Sequence, residues 1–299
     1  MAKKQTAPAL PTFPKTPDFW GDEETGKPER LSPDELEDDV TLPVARDTLA
    51  QLEAWRAAQE NPDEAEARQT YAENVARHLV GVFPNARISA EAYAAAAGED
   101  LAEFSADIVR AMAQRARRTL KTLPPLAQLL EWCKAESEKR YEQLFAYRSD
   151  LAAYRAALEA GQREAATIAE SAGKAGLPIT AEAVARVHRM ITGRSIGIKP
   201  GLRDKWVWTS YGGTLRKTDE HHAAWRLSEA LQRRLAGGEA EAMRLFTRLD
   251  ALALRREALP ETGDDSPPDH RALWDAFEAD LRPVEAEAAA WLGLPCPKH

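Results

Sequence analysis

Apolar residues recur at helical spacing along most of this chain, and breaks in that rhythm divide it into elements. Leu49, Leu52 and Trp55 mark a first helical face. Asn61-Pro62-Asp63-Glu64 is a start signal for a second helix, with Tyr71, Val75, Leu79 and Val82 on one side and Pro84 at its end. Asp100 with Glu103 reads as a capping box opening an amphipathic helix that carries Leu101, Phe104, Ile108, Met112, Ala116 and Leu120. After Pro124-Pro125 the pattern predicts a long helix running past Leu158, its buried stripe drawn from Leu126, Leu130, Cys133, Leu144, Tyr147, Leu151, Tyr154 and Leu158. No glycine or proline interrupts it before Gly161.

Gly173, Gly176 and Pro178 mark a boundary. Beyond it Thr180 caps a short helix with Val184, Val187 and Ile191 inward, and Gly193 ends that helix. The rhythm then changes to alternation in Lys205-Trp206-Val207-Trp208-Thr209-Ser210, and Tyr211-Gly212-Gly213-Thr214 supplies a tight turn into Leu215-Arg216-Lys217. A helical hairpin follows, with Trp225, Leu231 and Leu235 on one arm, Gly237-Gly238 at the turn and Leu245, Phe246, Leu249 and Leu252 on the other. Pro260 to Pro268 reads as an acidic linker before a terminal helical element with Leu273, Phe277, Leu281, Trp291 and Leu292, bent or broken at Pro283.

Residues 1–44 hold seven prolines (Pro8, Pro11, Pro14, Pro17, Pro28, Pro33 and Pro43) and few large apolar side chains, too few to offset the entropy of ordering. Within them Ser32-Pro33-Asp34-Glu35 is the start of a short helix reaching Asp39. The aromatics Phe13, Phe19 and Trp20 are either a docking peptide or a strap lying on the body. The expected fold is therefore mainly α: a disordered acidic leader (1–44), a helical domain (45–175), and a second helical domain (176–299) with one small β-hairpin near 205–217.

Composition adds bounds. A chain of 299 residues with 44% hydrophobic content can bury one large or two modest cores. No window approaches the roughly 18 apolar residues of a membrane span, and Met1-Ala2-Lys3-Lys4 runs into prolines where a signal peptide needs an apolar core. Two distant cysteines, Cys133 and Cys296, suggest no disulfide framework, so a cytoplasmic location is expected. The net charge of −8 conceals an asymmetry. Asp18 to Asp47 holds eleven acids against three bases, whereas Arg186, Arg189, Arg194, Lys199, Arg203, Lys205, Arg216 and Lys217 face the single acid Asp204 between residues 186 and 217.

That basic block gives the first candidate chemistry. Trp206, Trp208 and Tyr211 among Arg203, Lys205, Arg216 and Lys217 supply flat faces for bases and cations for phosphates, as single-strand binders do. The competing reading packs the tryptophans inward and leaves the bases as a solvated face. Arg110, Arg115, Arg117 and Arg118 form a second cluster, suited to an acidic partner or to plain solvation. His221 and His222 point about 100° apart on a helix and do not suit one metal, and Cys133 falls on an apolar face with no histidine nearby in sequence. Asp219, Glu220, Glu229, Asp264 and Asp265 are read as surface carboxylates. Gly173-Lys174 lacks the preceding glycine and following Ser/Thr of a phosphate loop, so no ATPase of that class is encoded. No metal or cofactor is expected.

Arg115-Ala116-Arg117-Arg118, the break at Leu123-Pro124-Pro125, then Leu126, Leu129, Leu130 and Trp132-Cys133-Lys134-Ala135-Glu136 resemble the middle of the phage lambda replication protein P family of helicase loaders. Val82-Phe83-Pro84 fits upstream, and the resemblance spans about residues 79–136. It implies a replication protein that grips a hexameric replicative helicase, contacts single-stranded DNA and an origin-binding initiator, and carries no catalytic centre. In that frame Arg110, Arg115, Arg117, Arg118 and Trp132 are the partner-binding candidates. The alternative is a non-enzymatic interaction or regulatory protein whose long helix dimerises. A further echo, Ile179-Thr180-Ala181-Glu182, His188, Lys199-Pro200-Gly201-Leu202-Arg203 and Trp206-Val207-Trp208, resembles the opening of a Fic domain. The active-site motif of that family is missing from the chain, so nucleotidyl transfer is not expected.

Overall fold

The computed structural model describes residues 27–33, 35–38, 40–61, 65–83, 88–199, 206–208, 215–260 and 267–297. Among them the protein is mainly helical and divides into two compact units, each with its own core. The first comprises Pro43–Ser149 with the segment up to Leu31, and the second comprises Ser32–Leu42 with Asp150–His299.

The first unit contains most of α1 (Thr41–Glu60), then α2 (Ala65–Val82), α3 (Ala90–Leu101), α4 (Ala106–Thr119) and the first half of α5 (Leu126–Lys174). Its core is built from Trp55, Tyr71, Leu79, Leu101, Ile108 and Leu129 with many alanines between them. Those alanines let helices approach closely: Ala72 and Ala76 of α2 and Ala94 and Ala97 of α3 are each at most 1% exposed. A Cβ added at Gly98 would meet Glu73 Cγ at 2.4 Å.

Helix α3 was not foreseen, because an alanine run has too little hydrophobic contrast to mark a face. It is capped by Ser89, whose hydroxyl accepts from the Ala92 N–H. Asp100 lies in the last turn of α3, and α4 starts only after Ser105, so the expected capping box of Asp100 and Glu103 does not exist. Leu101 and Phe104 are buried beneath the connection between the two helices.

Helix α5 continues through Gly161 to Lys174, further than the stripe required. Cys133, Leu144, Tyr147, Leu151 and Tyr154 are buried as expected, whereas Leu126, Leu130 and Leu158 are half-buried and Leu129, off the expected stripe, is buried. The two units divide between Ser149 and Asp150, inside this helix, whereas the glycines and proline after it had suggested residue 175. A helix whose two ends serve different cores carries no compositional mark at the switch.

In the second unit the end of α5 contributes Ala165, Ile168 and Ala172 to a core shared with α6 (Ala181–Thr192), α7 (Thr218–Ala236), α8 (Ala240–Glu257) and α9 (Pro268–Leu292). Local signals fix these elements well. The Thr180 hydroxyl accepts from the Ala183 N–H at 3.2 Å, and Gly193 closes α6 in the left-handed region at φ 71°. Leu227, Leu231 and Leu235 of α7 face Leu245, Phe246 and Leu249 across the turn at Gly237-Gly238. Each fully buried leucine contributes about 1.5–3 kcal/mol through the hydrophobic effect. Helix α9 is not broken at Pro283. Phe277 and Leu281 before it and Val284 and Ala288 after it are all buried, and that packing offsets the roughly 3 kcal/mol that an interior proline costs.

Two three-residue segments, β1 (Trp206–Trp208) and β2 (Leu215–Lys217), pair antiparallel with Trp206 opposite Lys217, Val207 opposite Arg216 and Trp208 opposite Leu215. The expected turn at Tyr211-Gly212-Gly213-Thr214 lies outside the described residues, as do the leader up to residue 26, the start signal Pro62-Asp63-Glu64, Pro84 and most of the acidic linker. The start at Ser32 takes the form of a short 3-10 turn, Glu35–Glu37, whose Glu35 carboxylate accepts from the Ser32 N–H at 2.6 Å.

Candidate functional site

Of the residues behind the family resemblance, the arginines of α4 lie at the surface of the first unit and Trp132 is half-buried, whereas Phe83, Leu129 and Cys133 are buried in its core. Ala106, Ile108, Val109, Met112, Ala113 and Ala116 bury one side of α4, and this turns Arg110, Arg115, Arg117 and Arg118 to the exposed side. Leu120 ends the helix in extended backbone. The chain then crosses Pro124, whose carbonyl accepts from the buried Tyr93 hydroxyl at 3.1 Å, and enters α5. That crossing sets Trp132 beneath Arg115, the guanidinium carbon lying 4.4 Å from the ring centroid. An arginine stacked this way keeps its donors in water while its flat face is held, so it is oriented for a carboxylate or phosphate. Trp132 is half-buried and packs on the unit's core together with Leu120, Leu123, Leu126 and Leu130. Arg117 and Arg118 occupy the last turn of α4, where the helix dipole favours cations.

The second predicted site is placed only in part. Arg203, Lys205 and Tyr211 lie outside the described residues. Trp206, Trp208, Arg216 and Lys217 are described by their backbone pairing alone. Part of the surrounding basic block serves the fold: Arg186 pairs with Asp250 at 2.8 Å. Arg189 donates to the Ser195 hydroxyl, also at 2.8 Å. Ser195 in turn donates to Glu37 through both its N–H, at 3.2 Å, and its hydroxyl, at 2.6 Å.

His188, the histidine of the Fic-like echo, is 1% exposed. Its Nδ1 is 2.9 Å from Ser228 Oγ and 3.3 Å from the Gln232 amide nitrogen, and its ring meets Trp225 edge-on with centroids 4.6 Å apart. Burial pushes its pKa down to about 4, so the imidazole is neutral near pH 7. A serine hydroxyl beside an imidazole has the contact geometry of a nucleophile and base. Here Ser228 is 1% exposed, so no substrate reaches it in this arrangement. Cys133 is equally sealed, with its thiol pushed up to about 12 by burial and by the neighbouring Glu136 charge. No group of three or more potential metal ligands occurs among the described residues, and no helix among them is long and apolar enough to cross a membrane.

One surface was missed in the sequence. An open groove of about 470 Å³ in the first unit is lined by Pro28, Arg30, Arg56, Tyr141, Phe145 and Arg148, among others. Phe145 is 73% exposed, and Tyr141 meets Trp55 edge-on at 5.2 Å while remaining 40% exposed. The available signal was Phe145 itself, an aromatic about 100° around the helix from Leu144 and off the predicted stripe.

No known protein family, curated protein or solved structure matches this chain.

Proposed function

We propose that this chain is a replication protein of the lambda protein P kind, which binds a hexameric replicative helicase and helps place it on single-stranded DNA without hydrolysing ATP. The observation that carries the reading is the stacking of Arg115 on Trp132 at 4.4 Å, which ties the exposed arginine run of α4 to the start of α5 across the proline break. A loader of this kind works by differential binding: contacts made only with an open ring shift the ring toward that state, and no bond is made or broken. In this reading Arg110, Arg115, Arg117 and Arg118 meet an acidic helicase surface and Trp132 holds Arg115 in place. Residues 205–217 form a hairpin flap whose Trp206, Trp208 and Tyr211 stack on bases while Arg203, Lys205, Arg216 and Lys217 contact phosphates. The setting is the cytoplasm of a phage-carrying host, and an origin-binding initiator is the further partner.

The test is co-purification with a hexameric replicative helicase. Wild type is expected to form a stable complex, and Arg115→Glu/Arg117→Glu/Arg118→Glu to weaken it by about tenfold or more, since like charges then face each other. These arginines are solvent-exposed, so folding, followed by circular dichroism, should be unchanged. A wild-type protein that ignores the helicase sinks the reading and leaves the plain interaction protein. For the flap, Arg203→Ala/Lys205→Ala/Arg216→Ala should lower single-stranded DNA affinity and flatten its salt dependence.

A further inference from the structure

We propose that the groove along α5 at Tyr141 and Phe145 is the docking site for this chain's own leader, with Phe19 and Trp20 as the occupying side chains. The inference is independent of the helicase reading and starts from how residues 27–31 are held. Gln143, fully buried, grips the main chain of Glu29 at two points: its side-chain oxygen accepts from the Glu29 N–H at 2.7 Å, and its amide nitrogen donates to the Glu29 carbonyl at 3.4 Å. One helical turn further along α5, the Tyr147 hydroxyl donates to the carboxylate of the same Glu29. A buried glutamine that reads backbone rather than side chain is a clamp for an extended segment, and it fixes where the leader leaves the body.

That exit lies in the groove itself, since Pro28 and Arg30 are among its lining residues. Across from them stand Tyr141, Phe145 and Arg148, one α5 stripe at spacings of four and three, with Phe145 almost three-quarters exposed. An aromatic so exposed beside a tethered chain is suited to a nearby apolar partner. The leader supplies one: Phe19 and Trp20 precede Pro28 by nine and eight residues. A fully extended chain of that length reaches about 25–30 Å, ample for a groove that Pro28 already lines. The tether also sets the thermodynamics. A tether of eight or nine residues holds the two aromatics at about millimolar effective concentration, so even a weak aromatic contact is occupied without another molecule. Charge is not what selects the occupant, because Arg56 already pairs with Glu60 and Arg148 with Glu53.

The experiment places a photo-activated benzoylphenylalanine at Phe145 of the full-length chain, a substitution that keeps an aromatic at an exposed position. A second protein carries the label at Arg148. After irradiation at low micromolar concentration, the cross-linked peptides are mapped by mass spectrometry. The expected result is an intramolecular adduct to residues 13–24, with a yield that falls at least fivefold in Phe19→Ser/Trp20→Ser and does not change on dilution. Adducts to a second copy of the chain, adducts to other parts of the sequence, a yield unaffected by the double substitution, or no adduct with either label would each overturn the proposal.

Discussion

At 4% exposure the guanidinium of Arg140 has little water to solvate it, and burial lowers its pKa to about 10, which still leaves it charged near pH 7. The charge is met by Asp107 of α4, by Glu136 at 3.2 Å one turn earlier in α5, and by the Trp55 ring, whose centroid is 5.8 Å away. Removing one partner of such a pair strands the other, so Arg140→Ala should cost about 3 kcal/mol in chemical denaturation. Arg140→Met, which keeps the packing volume, should cost less than alanine does. His188 responds to burial by staying neutral. Its folded pKa of about 4 lies below the ordinary imidazole value of 6.5, so the neutral form's stability is intact above pH 6.5 and is lost as pH falls toward 4. At pH 4.5 that shift amounts to about 2 kcal/mol. Thermal melts at pH 7 and 4.5 should therefore show wild type losing about that much more than His188→Gln; equal losses in the two proteins would exclude His188 as the acid-sensitive group.

At the scale of the element, two glycines of α5 make opposite predictions. A Cβ at Gly161 would sit 1.8 Å from the Ile196 carbonyl oxygen, because the turn at Ile196-Gly197 lies directly on the helix backbone. Gly197 reciprocates with φ 94° and a Cβ position 2.2 Å from the Ala157 carbonyl oxygen. Gly173, in the same helix, has nothing within 4 Å of its added Cβ. Gly161→Ala should thus destabilise by about 1–3 kcal/mol through overpacking, whereas Gly173→Ala should stabilise by up to about 1 kcal/mol from helix propensity. If both substitutions raised the melting temperature, the close approach at Ile196 would be wrong. The legibility of the elements follows the same logic. Thr180, Gly193 and the leucine stripes of α7 and α8 are local signals and were read from the sequence, whereas alanine-rich α3 has small side chains on every face and was not. Pro283 misled because a local rule, a proline ending a helix, yields to packing on both sides of it.

At the scale of the whole molecule, a chain of net charge −8 presents exposed arginines on α4, so the contacts proposed for them with an acidic partner should be sensitive to salt. Raising ionic strength from about 0.1 to 0.5 M should weaken the proposed helicase complex by about tenfold and should change the Arg115/Arg117/Arg118 glutamate variant much less. Salt-independent binding by wild type would exclude α4 as the contact. The candidate surfaces differ in how far the chain itself disclosed them. The exposure of Arg110, Arg115, Arg117 and Arg118 was legible because arginines off an apolar stripe face solvent, but that Arg115 stacks on Trp132 depends on the angle of the Pro124 crossing. The groove at Phe145 and the clamp of Gln143 on Glu29 join residues over a hundred positions apart, and no spacing rule reaches that far.

What the sequence by itself determined is the helical class, most of the helix faces and the caps of α6, since these depend on neighbours within a turn or two. Only the tertiary structure decided that the two cores divide inside α5, that Gly161 is a contact point and that His188 is sealed. Each of those depends on which distant surfaces meet, and burial between them, unlike periodicity, leaves no mark on either segment alone.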